Sequence, residues 1–442
     1  MINKITFPSF RSTEAEYIPN EFSIYIYNFR SDEVIGKSKR PYDKVNVTRL
    51  LSHEIRHYTD HISTFWGLNY IVMNSISMNM RIEEESENYN YLYDFHTLNK
   101  KLFYNEYYTK IIPNSHLTKY AYGDDPWKFE ITIINKFDNK GLPNKTKPLL
   151  SISFYKSINN PIFLSKVPIS IISLFEVNAV YEELCIKAML LNTLPEDEKI
   201  VESKLFEKEI FEELIYNNDL VIYNVIVHLT STILNITDLM EALSVASKIG
   251  TLALNLMHED IVSMKICDFI KNYNDDSDVY IEGFINNHDE GFIFLNLLFN
   301  YKDSFSKSRN YNLDEILLSN NLRSKDLIIK SINKEFDIAI MEILKTNNFR
   351  ITFSDQISKG KEIFNIKGID GSGILSIDYF NDVKYKPFVI FKDADFPLID
   401  ISQESFIKNR PYLKDSDHIE YIQYSDFYVK EMLTEFINAC DL

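Results

Sequence analysis

Leu50-Leu51-Ser52-His53-Glu54-Ile55-Arg56-His57-Tyr58-Thr59-Asp60-His61 is the stretch on which the reading of this chain turns. It lies in a segment whose apolar residues recur at helical spacing from about Val47 to Ile82, which predicts one long helix there. The chain has nine histidines, and three of them fall inside this stretch. The pattern His-Glu-x-x-His arises by chance in roughly one chain in a hundred of this length. Leu50, His53, His57, His61, Thr64 and Leu68 share one side of the helix, so the histidines interrupt an apolar stripe. A buried imidazole needs a partner. The choice lies between core histidines bonded to neighbours, a chance match on an exposed face, and a metal.

Helical geometry favours the metal. Residues four apart lie about 40° apart around the axis and about 6 Å along it. Two imidazoles so placed can converge on one Zn²⁺ at about 2.0–2.1 Å each. Glu54, about 100° around the axis from His53, can reach a water at the metal without ligating it and serve as general base. His61 would lie about 12 Å along the axis from His53, too far to share the ion. Asp60 and His61 are therefore candidates for supporting positions around the ligands, with a solvent-bonded Asp60 as the alternative.

A third ligand is expected from the helix predicted over Pro168–Asn192. Ile169, Ile172, Glu176, Ala179 and Glu183 share one of its faces, which puts Glu176 inside a mostly apolar stripe. A buried carboxylate without a partner is costly, so a metal is attractive; a core-edge ion pair is the other reading. Glu176 is the preferred ligand, with Glu183 and Glu182 in reserve and Glu183 also a supporting candidate. Ala179 is small enough to let the two helices approach closely.

Elsewhere the pattern predicts a strand over Glu21–Arg30 and a helix over Tyr89–Ile112. A hairpin is expected from Phe129–Phe137 and Leu149–Tyr155, with a third strand at Pro161–Lys166. Pro168 is expected to open the ligand helix. Helices should fill Pro195 to Leu344. Strands are expected at Ile374–Tyr379, Phe388–Phe391 and Ile419–Tyr424, and a last helix at Asp426–Cys440. The fold class is thus a predominantly helical α+β protein. Three parts are expected: a metal-site domain over 1–195, a helical domain over 196–346, and a mixed α/β region over 347–442.

The composition bounds the function. A net charge of −17 over 442 residues, with no basic block, argues against nucleic acid as a partner. Three scattered cysteines argue against a disulfide framework or cysteine-ligated metal. No apolar run is long enough to span a bilayer, and the N-terminus lacks a secretory signal, so a cytoplasmic location is expected. Abundant Asn, Ile, Lys and Tyr suggest an AT-rich bacterial source.

His53-Glu54-x-x-His57, a following hairpin, and Glu176-x-x-Ala179 together resemble the gluzincin class of zinc metallopeptidases. Within it the pattern is most similar to bacterial ImmA/IrrE-like proteins. The resemblance implies a zincin-like N-terminal domain, with a small sheet beside the active-site helix. It also implies His53, His57 and Glu176 as Zn²⁺ ligands and Glu54 as catalytic base. It covers about residues 20–192 and departs from the thermolysin type, since Val180 stands where that type has Asp. The metzincin pattern fails as well, with Asp60 at its Gly position and Ser63 at its third histidine.

The expected activity is zinc-dependent peptide-bond hydrolysis by a bacterial cytoplasmic protease acting on a restricted protein or peptide target. The alternatives are a non-catalytic zincin-fold binding or scaffold protein and a zinc hydrolase of a small amide. Tyr181, His116, Tyr104, Tyr107 and Tyr108 are candidate donors to a developing oxyanion. Oligomeric state is not readable.

Overall fold

The first histidine helix, α1 (Pro41–Ser63), stops one residue before α2 (Phe65–Asn79), where the sequence pattern predicts a continuous helix. The break is made at Thr64. Its Oγ1 donates to the Asp60 carbonyl at 2.7 Å and accepts from the Gly67 amide at 3.1 Å, so one hydroxyl closes the first helix and caps the second. Gly67 is required there, because a Cβ would sit 1.6 Å from the His61 carbonyl oxygen. A side chain at that position would force the two helices apart.

The computed structural model describes residues 14–27, 41–79, 93, 95–98, 112–113, 127–137, 142–156, 161–218, 220–346, 349–372 and 387–391. The expected strands at Ile374–Tyr379 and Ile419–Tyr424 and the helix at Asp426–Cys440 lie outside these residues, as does most of Tyr89–Ile112. Within them the protein is mostly helical, with two small sheets.

The first sheet has the order β1-β2-β7. Strands β1 (Ala15–Ile18) and β2 (Ser23–Ile26) are antiparallel; β2 falls within the strand expected over Glu21–Arg30, and β1, outside that range, pairs with it. The chain reverses between them with Phe22 at φ 52°. Strand β7 (Phe388–Phe391) joins parallel to β2, so residues far apart in sequence complete this sheet.

The second sheet runs β3-β6-β5-β4. It contains β3 (Ile112–Pro113), β4 (Lys128–Phe137), β5 (Pro143–Lys156) and β6 (Ile162–Pro168), all antiparallel. The hairpin and the third strand are as the alternation of the sequence predicts.

Pro168 ends β6 and does not open the helix. Helix α3 (Ile171–Leu191) starts three residues later, because Ser170 and Ser173 form a reciprocal capping box that Pro168 cannot provide. Ile171, Leu174, Val177, Val180, Leu184 and Ile186 are buried all round it, which marks a central helix. It packs against α1, against α5 (Val221–Leu234) and against α6 (Leu239–Asn255). Between α3 and α5 lies α4 (Glu196–Lys208), which continues as a π turn over Glu209–Ile215.

The helices that follow are α7 (His258–Ser263), α8 (Asp268–Lys271), α9 (Ser277–Asn286), α10 (Glu290–Ser308), α11 (Leu313–Ser319), α12 (Lys325–Ile343) and α13 (Arg350–Lys367). Asp238, Asp289 and Asn312 cap α6, α10 and α11 through their side chains. Helix α13 crosses α1 closely enough that a Cβ on Gly360 would lie 1.8 Å from the Ile62 carbonyl oxygen. One hydrophobic cluster extends from Ala15 to Ile369.

Candidate metal centre

Helices α1 and α3 cross where His53 and His57 face Glu176. The three donor atoms are separated by 3.1 Å between the two histidine Nε2 atoms, 3.3 Å from His53 Nε2 to Glu176 Oε2, and 3.6 Å from His57 Nε2 to the same oxygen. Tetrahedral zinc with bonds of about 2.0–2.1 Å needs donor–donor edges of about 3.3–3.4 Å. The three edges bracket that value. Glu176 Oε2 is buried and, among the described residues, accepts no aligned hydrogen bond, an arrangement that leaves an acceptor facing two imidazoles. Among the described residues, His53, His57 and Glu176 form the group that could hold a metal ion.

Burial disfavours charge on His53 and on Glu176, yet the contacts each makes prevail. His53 is pushed well above the ordinary histidine pKa, its burial outweighed by Glu176 and Glu183. Glu176, also opposed by burial, is held down at about 2 by His57 and His53. Without a cation, a proton on His53 supplies the positive charge that Glu176 requires. A divalent ion would replace that proton.

Glu183 supports the group from behind. Its Oε2 meets His53 Nδ1 at 2.8 Å, and its Oε1 is held by Arg49. That contact fixes the His53 ring so that Nε2 faces the other two donors. Glu183 lies seven residues after Glu176, so the supporting carboxylate comes from two turns on, past Val180. Glu182, the other reserve ligand, turns to Arg56.

Glu54 is 7% exposed, and its Oε2 accepts the backbone N–H of Tyr17 in β1 at 2.8 Å. Its Oε1 makes no hydrogen bond among the described residues. Burial raises its pKa, with partial relief from His53 and His57. Tyr17 also joins Glu54 to His61, because its hydroxyl meets His61 Nδ1 at 2.6 Å. His61 stacks on Phe22 and meets Tyr70 edge-on, away from the metal group. Asp60 is bound to Arg56, Asn178 and Lys367 and to neither metal-facing histidine.

Two aromatic residues flank the group. Phe175 meets His57 edge-on at 6.4 Å, and the Tyr223 ring on α5 lies 6.3 Å from that of His53. Tyr223 had no sequence signal: it is one of 28 tyrosines, in a segment that reads only as amphipathic helix. Tyr181 is engaged with Ser244 and Cys185. His116, Tyr104, Tyr107 and Tyr108 lie outside the described residues.

The buried histidines dictate a pH profile for the metal-free protein. Burial lowers His61 to about 3 and His228 to about 4, the latter despite its bond to the Ile215 carbonyl. Unfolding lets both take protons below about pH 6.5, so their stabilisation is present above that value and is lost as pH falls. His53, raised in the fold, stabilises below about pH 6.5 and loses that contribution as pH rises. Together these predict maximal stability near pH 7 in chelator. Each histidine contributes a slope of about 1.4 kcal/mol per pH unit where it is fully engaged. Zinc should remove the alkaline decline, because it takes the place of the His53 proton. Urea unfolding in EDTA from pH 5 to 9 tests this; a continuous rise through pH 8 would contradict it.

No helix among the described residues is long and apolar enough to cross a membrane. No protein-family model, curated protein or solved structure matches this chain.

Proposed function

We propose that this chain is a zinc-dependent hydrolase of the gluzincin kind that cleaves peptide bonds in a restricted protein target in a bacterial cytoplasm. The observation that carries this reading is the convergence of His53 Nε2, His57 Nε2 and Glu176 Oε2 at 3.1–3.6 Å, beside a glutamate that is not part of the triangle. Two neutral nitrogens and one carboxylate suit zinc, and three protein ligands leave a position for water or substrate. Bound there, zinc would polarise the substrate carbonyl and make water acidic enough to react near neutral pH.

The remaining chemistry belongs to the protein. Glu183 holds His53 in the ring orientation that presents Nε2. The Tyr17 amide fixes one oxygen of Glu54 and leaves Oε1 for the proton of the attacking water. Glu54 then returns that proton to the departing amine nitrogen, so the carboxylate begins and ends the cycle ionised. The low exposure of the site raises the basicity of that carboxylate toward the working pH.

Metal analysis and peptide hydrolysis together test the reading. Purified protein should carry about one zinc per chain, with three protein donors holding it. Its cleavage of unstructured peptides should stop on chelation and resume with added zinc. Stoichiometric zinc without hydrolysis of any peptide would reject the protease reading and leave a metal-bearing scaffold.

A further inference from the structure

Beside the metal group, a second polar seam runs between α1 and α3, and in it charges of opposite sign are paired. Arg56 donates from Nε to Asp60 Oδ2 at 2.9 Å, from Nη1 to Glu182 Oε2 at 3.4 Å, and from Nη2 to Thr251 Oγ1 at 2.9 Å. Asp60 accepts from Asn178 Nδ2 at 2.8 Å and from Lys367 Nζ at 3.0 Å. Two cations thus face two anions, and none of the four side chains is more than 3% exposed.

Such a network is a weak source of stability, because desolvating four charges offsets most of their attraction. Apolar side chains of similar volume commonly do as well. Charges differ in rejecting wrong arrangements, since any misplacement leaves one of them buried and unmatched. Here the arrangement at stake is the register of α1 on α3.

The two seams use neighbouring residues. Arg56 and Asp60 bracket His57 in sequence, Glu182 precedes Glu183, and Asn178 follows Glu176 by two positions. A slip of one residue on α3 would carry Glu176 about 1.5 Å along the axis and turn it about 100°. A metal group tolerates about 0.5 Å of error, so a slip that breaks the charge pairs of this seam also scatters the ligands.

Lys367 ties this seam to α13, more than 300 residues from Asp60 in sequence. The chain just beyond it is also anchored here: the Ile369 carbonyl accepts from Asn255 at 2.9 Å, and Gly371 packs against Thr251 and Arg56. Resting on the metal reading above, we infer that Lys367 is a positioning residue for the metal group. Through Asp60 and Arg56 it sets the register at which His53, His57 and Glu176 converge.

The test uses the full chain with Lys367→Met, which keeps much of the volume and removes the charge. Zinc affinity is measured by competition with a chromophoric chelator, and site geometry by the visible spectrum of bound Co²⁺. Zinc affinity should fall about tenfold or more, as for residues that orient metal ligands, and the Co²⁺ spectrum should change. Adding Asp60→Asn restores neutrality and should bring affinity back to within about threefold of the parent if charge matching is the cause. Should Lys367→Met fail to fold, Asn178→Ala removes a bond between α1 and α3 without removing a charge, and should weaken zinc about fivefold or more. A role in stability alone would lower the melting temperature and leave affinity and spectrum unmoved. That result in either folded single variant, or a double variant no better than Lys367→Met, overturns the inference. A parent chain that binds neither Zn²⁺ nor Co²⁺ rejects the metal reading instead.

Discussion

Glu54→Gln is expected to lower peptide hydrolysis by about three orders of magnitude while leaving zinc content unchanged, since a positioned general base contributes about 10²–10⁴-fold. The substitution keeps the shape of the side chain, and the amide oxygen can still accept the Tyr17 N–H that Glu54 Oε2 accepts at 2.8 Å. What disappears is the capacity to take a proton. Folding should not suffer: Glu54 is buried and its charge is disfavoured there. Replacing it by a neutral amide removes that penalty, so the melting temperature should hold or rise. Single-turnover cleavage of a peptide, paired with metal analysis of the same preparation, makes the comparison. Activity within tenfold of the parent would remove Glu54 from the chemistry.

Glu176→Gln should act on the metal itself. Structural zinc binding amounts to about 10–16 kcal/mol shared over four ligands, or about 3 kcal/mol for each, so affinity should fall about 100- to 1000-fold. The amide is a poor ligand and cannot balance the charge on His53. His53 should lose part of its elevated pKa, because Glu176 is the first of the partners that raise it. The pH profile provides an independent reading: the alkaline loss of stability in chelator should become shallower. Isothermal titration with zinc and urea unfolding at pH 7 and 8.5 measure the two effects. Zinc binding at parental affinity would show that Glu176 is no ligand and that another acid completes the group.

The local features of this site were legible because they depend on short spacing. His53 and His57 stand one helical turn apart, and their convergence follows from helix geometry. Glu176 stood out as a carboxylate in an apolar stripe, and the fold brings it to both imidazoles. The hairpin of β4 and β5 was visible in the alternation of residues.

Asp60, Glu182 and Glu183 were harder to sort. All are acidic residues within helices, and a one-residue difference between Glu182 and Glu183 rotates a side chain by about 100°. Only the crossing of α1 and α3 sends Glu183 to His53 and Glu182 to Arg56. The end of α1 was hidden for another reason. Thr64 and Gly67 look ordinary within an apolar helical period, and their effect appears once the His61 carbonyl is seen against Gly67.

By itself, then, the sequence determined the two histidines, the glutamate between them, and the helical spacing that lets them face one point, since these depend on bonds within a single turn. The tertiary structure decided which acids join them, that Tyr17 holds Glu54, that Tyr223 lies beside His53, and that Lys367 neutralises Asp60. Those contacts join residues separated by 37 to 307 positions, or by 170 between His53 and Tyr223. At such separations no local period constrains them; burial selects the partners, because a charge in the core must be matched by whatever the packing brings within reach.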